Sequence, residues 1–394
     1  MNTKAINRIH IPIFAGILAF GIPIQVEAGY QITAQGTGNS EREATDHALQ
    51  TALSKIIESY APAHTSKGRK LAWIRRLVQA HPRHVVGTHF KTVKRNSPAN
   101  DRANRQWNVT VDVNIPKAQL DSAWQEAEAF IGWIGHPTVA IFMVDRIEDN
   151  RHRPARVSTA ADSDVAQQFR EALHNEHFEV KVSDHVDVLK SIHGEFARLN
   201  QQDLKVITEI ATRQNADIFL TGVGRTLGPT PHSRTPGRQG YDWESDAKCN
   251  MYWTDDATLI ATIDADGLGE DNDPDRGRIT SLKNVGNGLA PKFMDAIFRE
   301  WSVWAFEGRA VTITVLGCSN DQADDIEDFI NSLPKSDVLE ILDAQPANNT
   351  TVIRVQSKQA PRKLSRKIRK ADYDGFKLEG MEARYNTIRL KVAN

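Results

Sequence analysis

Apolar residues recur at every fourth position over Ala44, Ala48, Ala52, Ile56 and Tyr60, with Leu49, Leu53 and Ile57 beside them. This spacing lays one stripe along a helix, and the alanines at its start permit close approach to a sheet. Ser40 stands three residues before Glu43, a capping-box pair that predicts the helix start. Ahead of it, Tyr30-Gln31-Ile32-Thr33-Ala34 alternates as a strand. Lys70 to Ala80 predicts a shorter helix carrying Trp73 and Leu77. His84 to Arg95 and Gln106 to Ile115 read as paired strands, the second alternating Val109, Val111, Val113 and Ile115 with polar residues. Asn96 to Arg105 is the expected loop between them, and a helix opening on Pro116 runs to about Phe130.

The pattern changes at Thr138. Thr138 to Val144 is a continuous apolar run, as in a strand buried on both faces. A helix is predicted over Asp162 to Asn175, with Val165, Phe169 and Leu173 on one face, then a strand over Phe178 to Val182. A helix over Gln202 to Gln214 and a buried strand over Ala216 to Val223 follow. This alternation predicts a mostly parallel sheet covered on both faces. Pro229 to Gly240, rich in Pro, Gly, Arg and His, reads as a mobile excursion. Asn250 to Trp253 and Ala257 to Asp264 resume strand character. Leu289 to Phe306 is an amphipathic helix whose Trp301, Trp304 and Phe306 are expected to seal the core.

The last stretch offers a strand (Val311 to Leu316), a helix (Gln322 to Leu333), strands over Val338 to Leu342 and Thr350 to Val355, a basic helix (Pro361 to Lys370) and a final strand (Ala383 to Val392). The order β-α-β-β-α-β predicts a ferredoxin-like arrangement. The fold class is therefore α+β and α/β in three modules: a strand-helix-hairpin-helix domain over 29–135, an α/β domain with a mostly parallel sheet over 136–308, and a ferredoxin-like domain over 309–394.

The first 28 residues carry Lys4 and Arg8, a mostly apolar run from Ile9 to Gln25, and then Val26-Glu27-Ala28. That is the form of a secretory signal peptide, with cleavage expected after Ala28 and a periplasmic or otherwise exported mature chain. The rival reading, a membrane anchor, is opposed by the short run and by Pro12 and Pro23 within it. No Cys follows the run, so a lipid anchor is not expected, nor is a transmembrane span in the mature chain. Lys and Arg number 49 against 50 Asp and Glu, which gives no global field for capturing nucleic acid. Cys249 and Cys318 could pair in an oxidising compartment; two partly buried thiols in different modules are the favoured reading.

Candidate chemistry is sparse. Asp264, Asp266, Glu270, Asp271, Asp273 and Asp275 crowd a Gly-rich segment, and Asp271, Asp273 and Asp275 are spaced as calcium ligands could be. Counted from Asp271, however, the sixth position is Arg276 and the twelfth Leu282, against the EF-hand pattern, so a solvated loop is the favoured reading. Gly222-Val223-Gly224 lacks the third Gly of a dinucleotide fingerprint and reads as a strand-end turn. His81, His84 and His89 lack zinc-site spacing. Lys363, Arg366, Lys367, Arg369 and Lys370 make a basic helix face that could meet an anionic partner, against the commoner reading of a solvated face. Lys363, Arg366, Lys367 and Lys370 are the partner-binding candidates. No catalytic residues and no cofactor are expected.

Gly36 to Tyr60, with the paired-strand finish Trp107-Asn108-Val109-Thr110-Val111-Asp112-Val113, resembles the amino-terminal domain of the flagellar assembly protein T family. The second module, through Val139 to Val144, Phe178 to Val182 and Asn215-Ala216-Asp217-Ile218-Phe219-Leu220-Thr221-Gly222, resembles that family's middle domain, the TolB amino-terminal domain and the curli-export lipoprotein. The ferredoxin-like third module departs from the flagellar family, and the curli exporter's lipid-attachment Cys is absent. The resemblance implies a non-enzymatic scaffold or assembly factor of the bacterial envelope. Its implied partners are envelope proteins such as flagellar basal-body or outer-membrane components, and an oligomeric ring is compatible with that role. The alternatives are a binding or adaptor module for a secretion or lipoprotein-export system, using the Pro229 to Gly240 excursion as its contact, and a hydrolase assembled from separate acidic residues.

Overall fold

The computed structural model describes residues 29–61, 67–96, 106–149, 156–158, 162–183, 201–235, 238–347 and 349–393. The export segment read over residues 1–28 lies outside them, as does most of the loop expected over 96–105. The chain divides into two compact units, Met1–Gly132 and Trp133–Asn394. The second and third expected modules thus form one unit.

The first unit contains β1 (Tyr30–Gly38), α1 (Glu41–Tyr60), α2 (Gly68–Ala80), α3 (Pro82–Val86), β2 (Phe90–Asn96), β3 (Trp107–Ile115) and most of α4 (Lys117–Ile134). Its sheet has the antiparallel order β1-β3-β2. Ser40 caps α1 by accepting from the Glu43 backbone N–H at 3.1 Å. The alanine stripe lies close against β1. A Cβ at Gly36 would sit 2.2 Å from the Ala44 carbonyl oxygen and the Ala48 nitrogen, so only glycine fits there. His84 lies in α3 rather than in the expected strand. Pro82 opens that turn, the His81 carbonyl accepts from the His84 and Val85 N–H groups, and Gly87 at φ 57° ends it.

The second unit carries two sheets. The first contains β4 (Thr138–Asp149), β5 (Arg156–Val157), β6 (Glu179–Val182), β7 (Ile218–Thr235), β8 (Arg238–Trp253) and β9 (Leu259–Asp271). Its order is β5-β4-β7-β8-β9, with β6 also on β4. β6, β4 and β7 are parallel, whereas β8 and β9 are antiparallel, so the sheet is mixed rather than mostly parallel. Helices α5 (Asp164–Asn175), α6 (Gln201–Arg213) and α7 (Pro274–Phe306) cover it. Ile207, Ile210 and Ala211 of α6 pack with Ala140, Phe142, Val144 and Phe219. Phe169 of α5 meets Phe293 of α7, and Phe178 stacks on Trp301.

Three sequence expectations change here. Pro229 to Gly240 is not an excursion: β7 and β8 pair through it, with His232 opposite Gly240 and Thr235 opposite Arg238. Gly222 and Gly224 lie within β7, not at a strand-end turn; a Cβ at Gly224 would meet Asp145 Oδ1 and Val165 Cγ2 at 2.8 Å. Helix α7 begins at Pro274, fifteen residues before the expected Leu289, because Asp273 caps it by accepting from the Asp275 N–H. Gly277, Gly286 and Gly288 obscured that half in the sequence. They allow close packing, and a Cβ at Gly269 of β9 would lie 2.0 Å from the Gly277 carbonyl oxygen.

The second sheet contains β10 (Arg309–Leu316), β11 (Glu340–Ala347), β12 (Thr350–Ser357), β13 (Lys377–Ala383) and β14 (Thr387–Ala393), with α8 (Asn320–Ser332) and α9 (Pro361–Arg369) packed against it. The β10-α8-β11-β12 half follows the expected order. Beyond α9 the chain departs from the ferredoxin-like scheme, because an additional strand, β13, takes the sheet edge and turns back into β14. β14 then runs parallel to β10, giving the order β11-β12-β10-β14-β13.

Candidate binding cleft

The second unit has an open cleft of about 1070 Å³. Its walls come from the end of α4 (Trp133, Ile134), the turns before β7 (Asp217) and after β8 (Thr254, Asp255), α9 (Arg362, Lys363, Arg369), and β13 with the turn after it (Gly380 to Tyr385).

Hydrogen bonds fix the floor. Asp217 accepts from the Thr138 N–H at 2.8 Å, while its own N–H donates to the Thr138 carbonyl at 2.8 Å. Burial raises its pKa, opposed by the Thr138 N–H and by the neighbouring Tyr385 phenol, which itself donates to the Ile134 carbonyl at 3.5 Å. The Tyr385 phenol is held well above its ordinary value by burial first and by Asp217 and Asp255 second. Asp255 accepts from the Asn386 N–H. Burial, with repulsion from Asp256, pushes its carboxyl up to about 6. Its other oxygen, Oδ1, is sealed from solvent and has no hydrogen-bond partner among the described residues.

Beneath the cleft Arg309 is 3% exposed. It donates to the Tyr385 carbonyl at 2.7 Å and the Gln359 carbonyl at 2.9 Å, and lies 4.8 Å from the Trp133 ring and 5.5 Å from the Trp304 ring. Burial pulls its pKa down to about 9, with Asp255 opposing, so it stays charged at neutral pH. Trp253 stacks on Trp304 at 4.4 Å and on Tyr385 at 5.5 Å. The expectation of Trp301, Trp304 and Phe306 in the core is met, as all three are buried.

The rim is different in kind. Arg362, Lys363 and Arg369 have no acidic partner among the described residues, while Arg384 pairs with Glu382. Of the four partner-binding candidates, the cleft takes up Lys363 alone. Arg366 and Lys370 are exposed outside its lining, and Lys367 is paired with the buried Asp337. The sequence reading missed Arg362 as a site residue, and it missed Arg384, Asp217 and Asp255. The only sequence signal for the last two was an acidic residue at the edge of an apolar strand run.

The remaining candidates do not assemble. Asp271 ends β9 and accepts from the Asp273 N–H at 2.9 Å, Asp273 caps α7, and Asp275 is in its first turn. The expected solvated loop is strand and helix cap, with Asp264 and Asp266 on β9. Among the described residues no group of three His, Cys, Asp or Glu could hold a metal ion. His81 and His84 instead meet edge to face at 5.6 Å. Cys249 and Cys318 are free and buried. Within β4, Asp145 accepts from Ser163 Oγ at 2.7 Å and the Asp164 N–H at 2.6 Å. The amino terminus of α5 is thereby filled by a carboxylate of the chain itself. Among the described residues no helix is long and apolar enough to cross a membrane.

No family model matches the chain, and no curated protein matches it. Among solved structures it is similar to the PelC dodecamer from Paraburkholderia phytofirmans, at 11% identity over 41% of this chain and 88% of that one, with a TM-score of 0.23. The hypothetical protein CT253 from Chlamydia trachomatis shares 12% identity over 43% of this chain and 98% of its own, with a TM-score of 0.25. The LpoB C-terminal domain from Salmonella enterica shares 12% over 35% and 89%, with a TM-score of 0.20.

Proposed function

We propose that this chain is an exported, non-enzymatic scaffold or assembly protein of the bacterial envelope that docks partner proteins at the cleft of its second unit. One observation carries the reading: the groups able to do chemistry are bound into the floor, while the charges on the rim are left for a partner. The Asp217 carboxyl is engaged by the Thr138 N–H, and the Asp255 oxygen that has no partner among the described residues is shielded from anything entering the cleft. Arg362, Lys363 and Arg369 are charged, exposed and without an acidic partner among the described residues. The signal-like amino terminus supports an address outside the cytoplasm.

The resemblance of the amino-terminal segment makes the flagellar basal body the first candidate machine. Crosslinked capture by tagged protein in intact cells, with partners identified by mass spectrometry, tests this. Enrichment of basal-body proteins together with lost motility on deletion supports it. Enrichment of other envelope components alone removes the flagellar assignment, and a chain recovered only from the cytoplasm removes the envelope reading.

A further inference from the structure

The cleft borders an open sheet edge. β13 is the last strand in the order β11-β12-β10-β14-β13, and its outer edge has no strand partner among the described residues. Gly380, Met381, Glu382 and Ala383 of this strand line the cleft. An unpaired edge offers a row of backbone donors and acceptors to an incoming strand.

The surroundings select what that strand carries. On the α9 side Leu378 is buried in one core with Leu364 and Ile368. The Arg369 guanidinium lies over Gly380, 3.0 to 3.1 Å from where a Cβ would be. Arg369 thus covers this stretch of β13 from the α9 side, and Arg362 and Lys363 of the same helix line the same cleft. Met381 sits where the β13–β14 register slips and is 57% exposed, which adds an apolar side chain to a cleft lining that also holds Trp133. Three exposed cations, an apolar wall and a strand edge, the cations and the edge without partners among the described residues, line one cleft.

We propose that β13 receives an extended acidic segment of a partner protein as an added strand, its carboxylates facing Arg362, Lys363 and Arg369 and its alternate apolar residues covering Met381. The inference rests on the docking reading above and names the partner's chemistry. A strand's side chains alternate between faces, so acidic residues at every second position would all meet α9.

The test uses the full mature chain and a fluorescein-labelled ten-residue peptide alternating Glu and Val. Fluorescence anisotropy should show saturable binding that weakens with salt, and the exchange of Gly380 to Ala383 backbone amides should slow on binding. R362E/K363E and R369E should each weaken binding by about tenfold or more. R366E, on the same helix but outside the cleft, should leave it unchanged. A Lys–Val peptide, and a Glu–Val peptide N-methylated at alternate residues, should not bind. No binding of the Glu–Val peptide, equal binding of its N-methylated form, or binding indifferent to R369E would each overturn the proposal. If R369E abolishes capture of a cellular partner while Glu–Val fails to bind, strand addition falls and the docking reading stands.

Discussion

The guanidinium of Arg309 lies 4.8 Å from the ring of Trp133, joining the first strand of the carboxyl-terminal sheet to the end of α4 beneath the cleft. The same side chain donates to the carbonyls of Tyr385, Gln359 and, at 3.5 Å, Ser357. Its planar fork reaches several acceptors while its face meets aromatic rings, which a lysine cannot reproduce. Replacing it leaves buried carbonyls without a donor and Asp255 without its compensating charge.

Arg309→Ala should therefore destabilise the second unit by about 3 kcal/mol or more, read as a fall in the urea midpoint followed by tryptophan fluorescence. Arg309→Lys should recover only part of the loss. A variant within about 0.5 kcal/mol of wild type would show that the cluster is not a structural hub.

The pH dependence of stability should reveal the buried carboxyls. Burial raises Asp145 and Asp255 each to about 6 in the folded chain, above the ordinary Asp value near 3.9. Between roughly pH 4 and 6 the folded state then holds protons that the unfolded chain has released. This contribution to stability is full below pH 4, declines as pH rises through 6, and has gone above that. Urea midpoints measured from pH 4.5 to 7 should carry a downward slope from these groups, and Asp145→Asn should reduce it. An unaltered slope would count against the raised value at Asp145.

Close backbone approach makes two glycines irreplaceable in different units. A Cβ at Gly36 would strike α1 at 2.2 Å, and one at Gly269 would strike α7 at 2.0 Å. Gly36→Ala should speed amide exchange in α1 and β1, and Gly269→Ala in β9 and the first half of α7, each costing about 1–3 kcal/mol. Protection equal to wild type in either pair of elements would contradict the close packing there.

These glycines also show what could be read in advance. The α1 stripe and its cap were legible because alanine spacing and a Ser–Glu pair are local signals. The first half of α7 was not, because Gly277, Gly286 and Gly288 read as helix breakers until the packing they permit is known, Gly277 against Gly269 of β9 and Gly286 against α5. The extra edge strand β13 was missed for a related reason: Lys377 to Ala383 contains Gly380 and little apolar alternation. The cleft was the least legible feature. Trp133, Asp217, Asp255, Arg369 and Tyr385 come from separate segments, and only the cations of α9 cluster in sequence.

The thiols offer a simple check. Burial raises the pKa of Cys249 and of Cys318, which disfavours the reactive thiolate. Native protein should react slowly with maleimide at neutral pH and yield two free thiols once unfolded in the absence of reductant. A single species lacking free thiols would mean that they pair.

The central claim is that the cationic rim of the cleft captures an envelope protein. The most direct measurement is crosslinked capture in intact cells by the wild type, R362E/K363E and R366E, compared by quantitative mass spectrometry. Wild type and R366E should enrich the same envelope proteins, and R362E/K363E should lose them while remaining folded. Equal enrichment by all three, or no envelope protein enriched by any, would contradict the account.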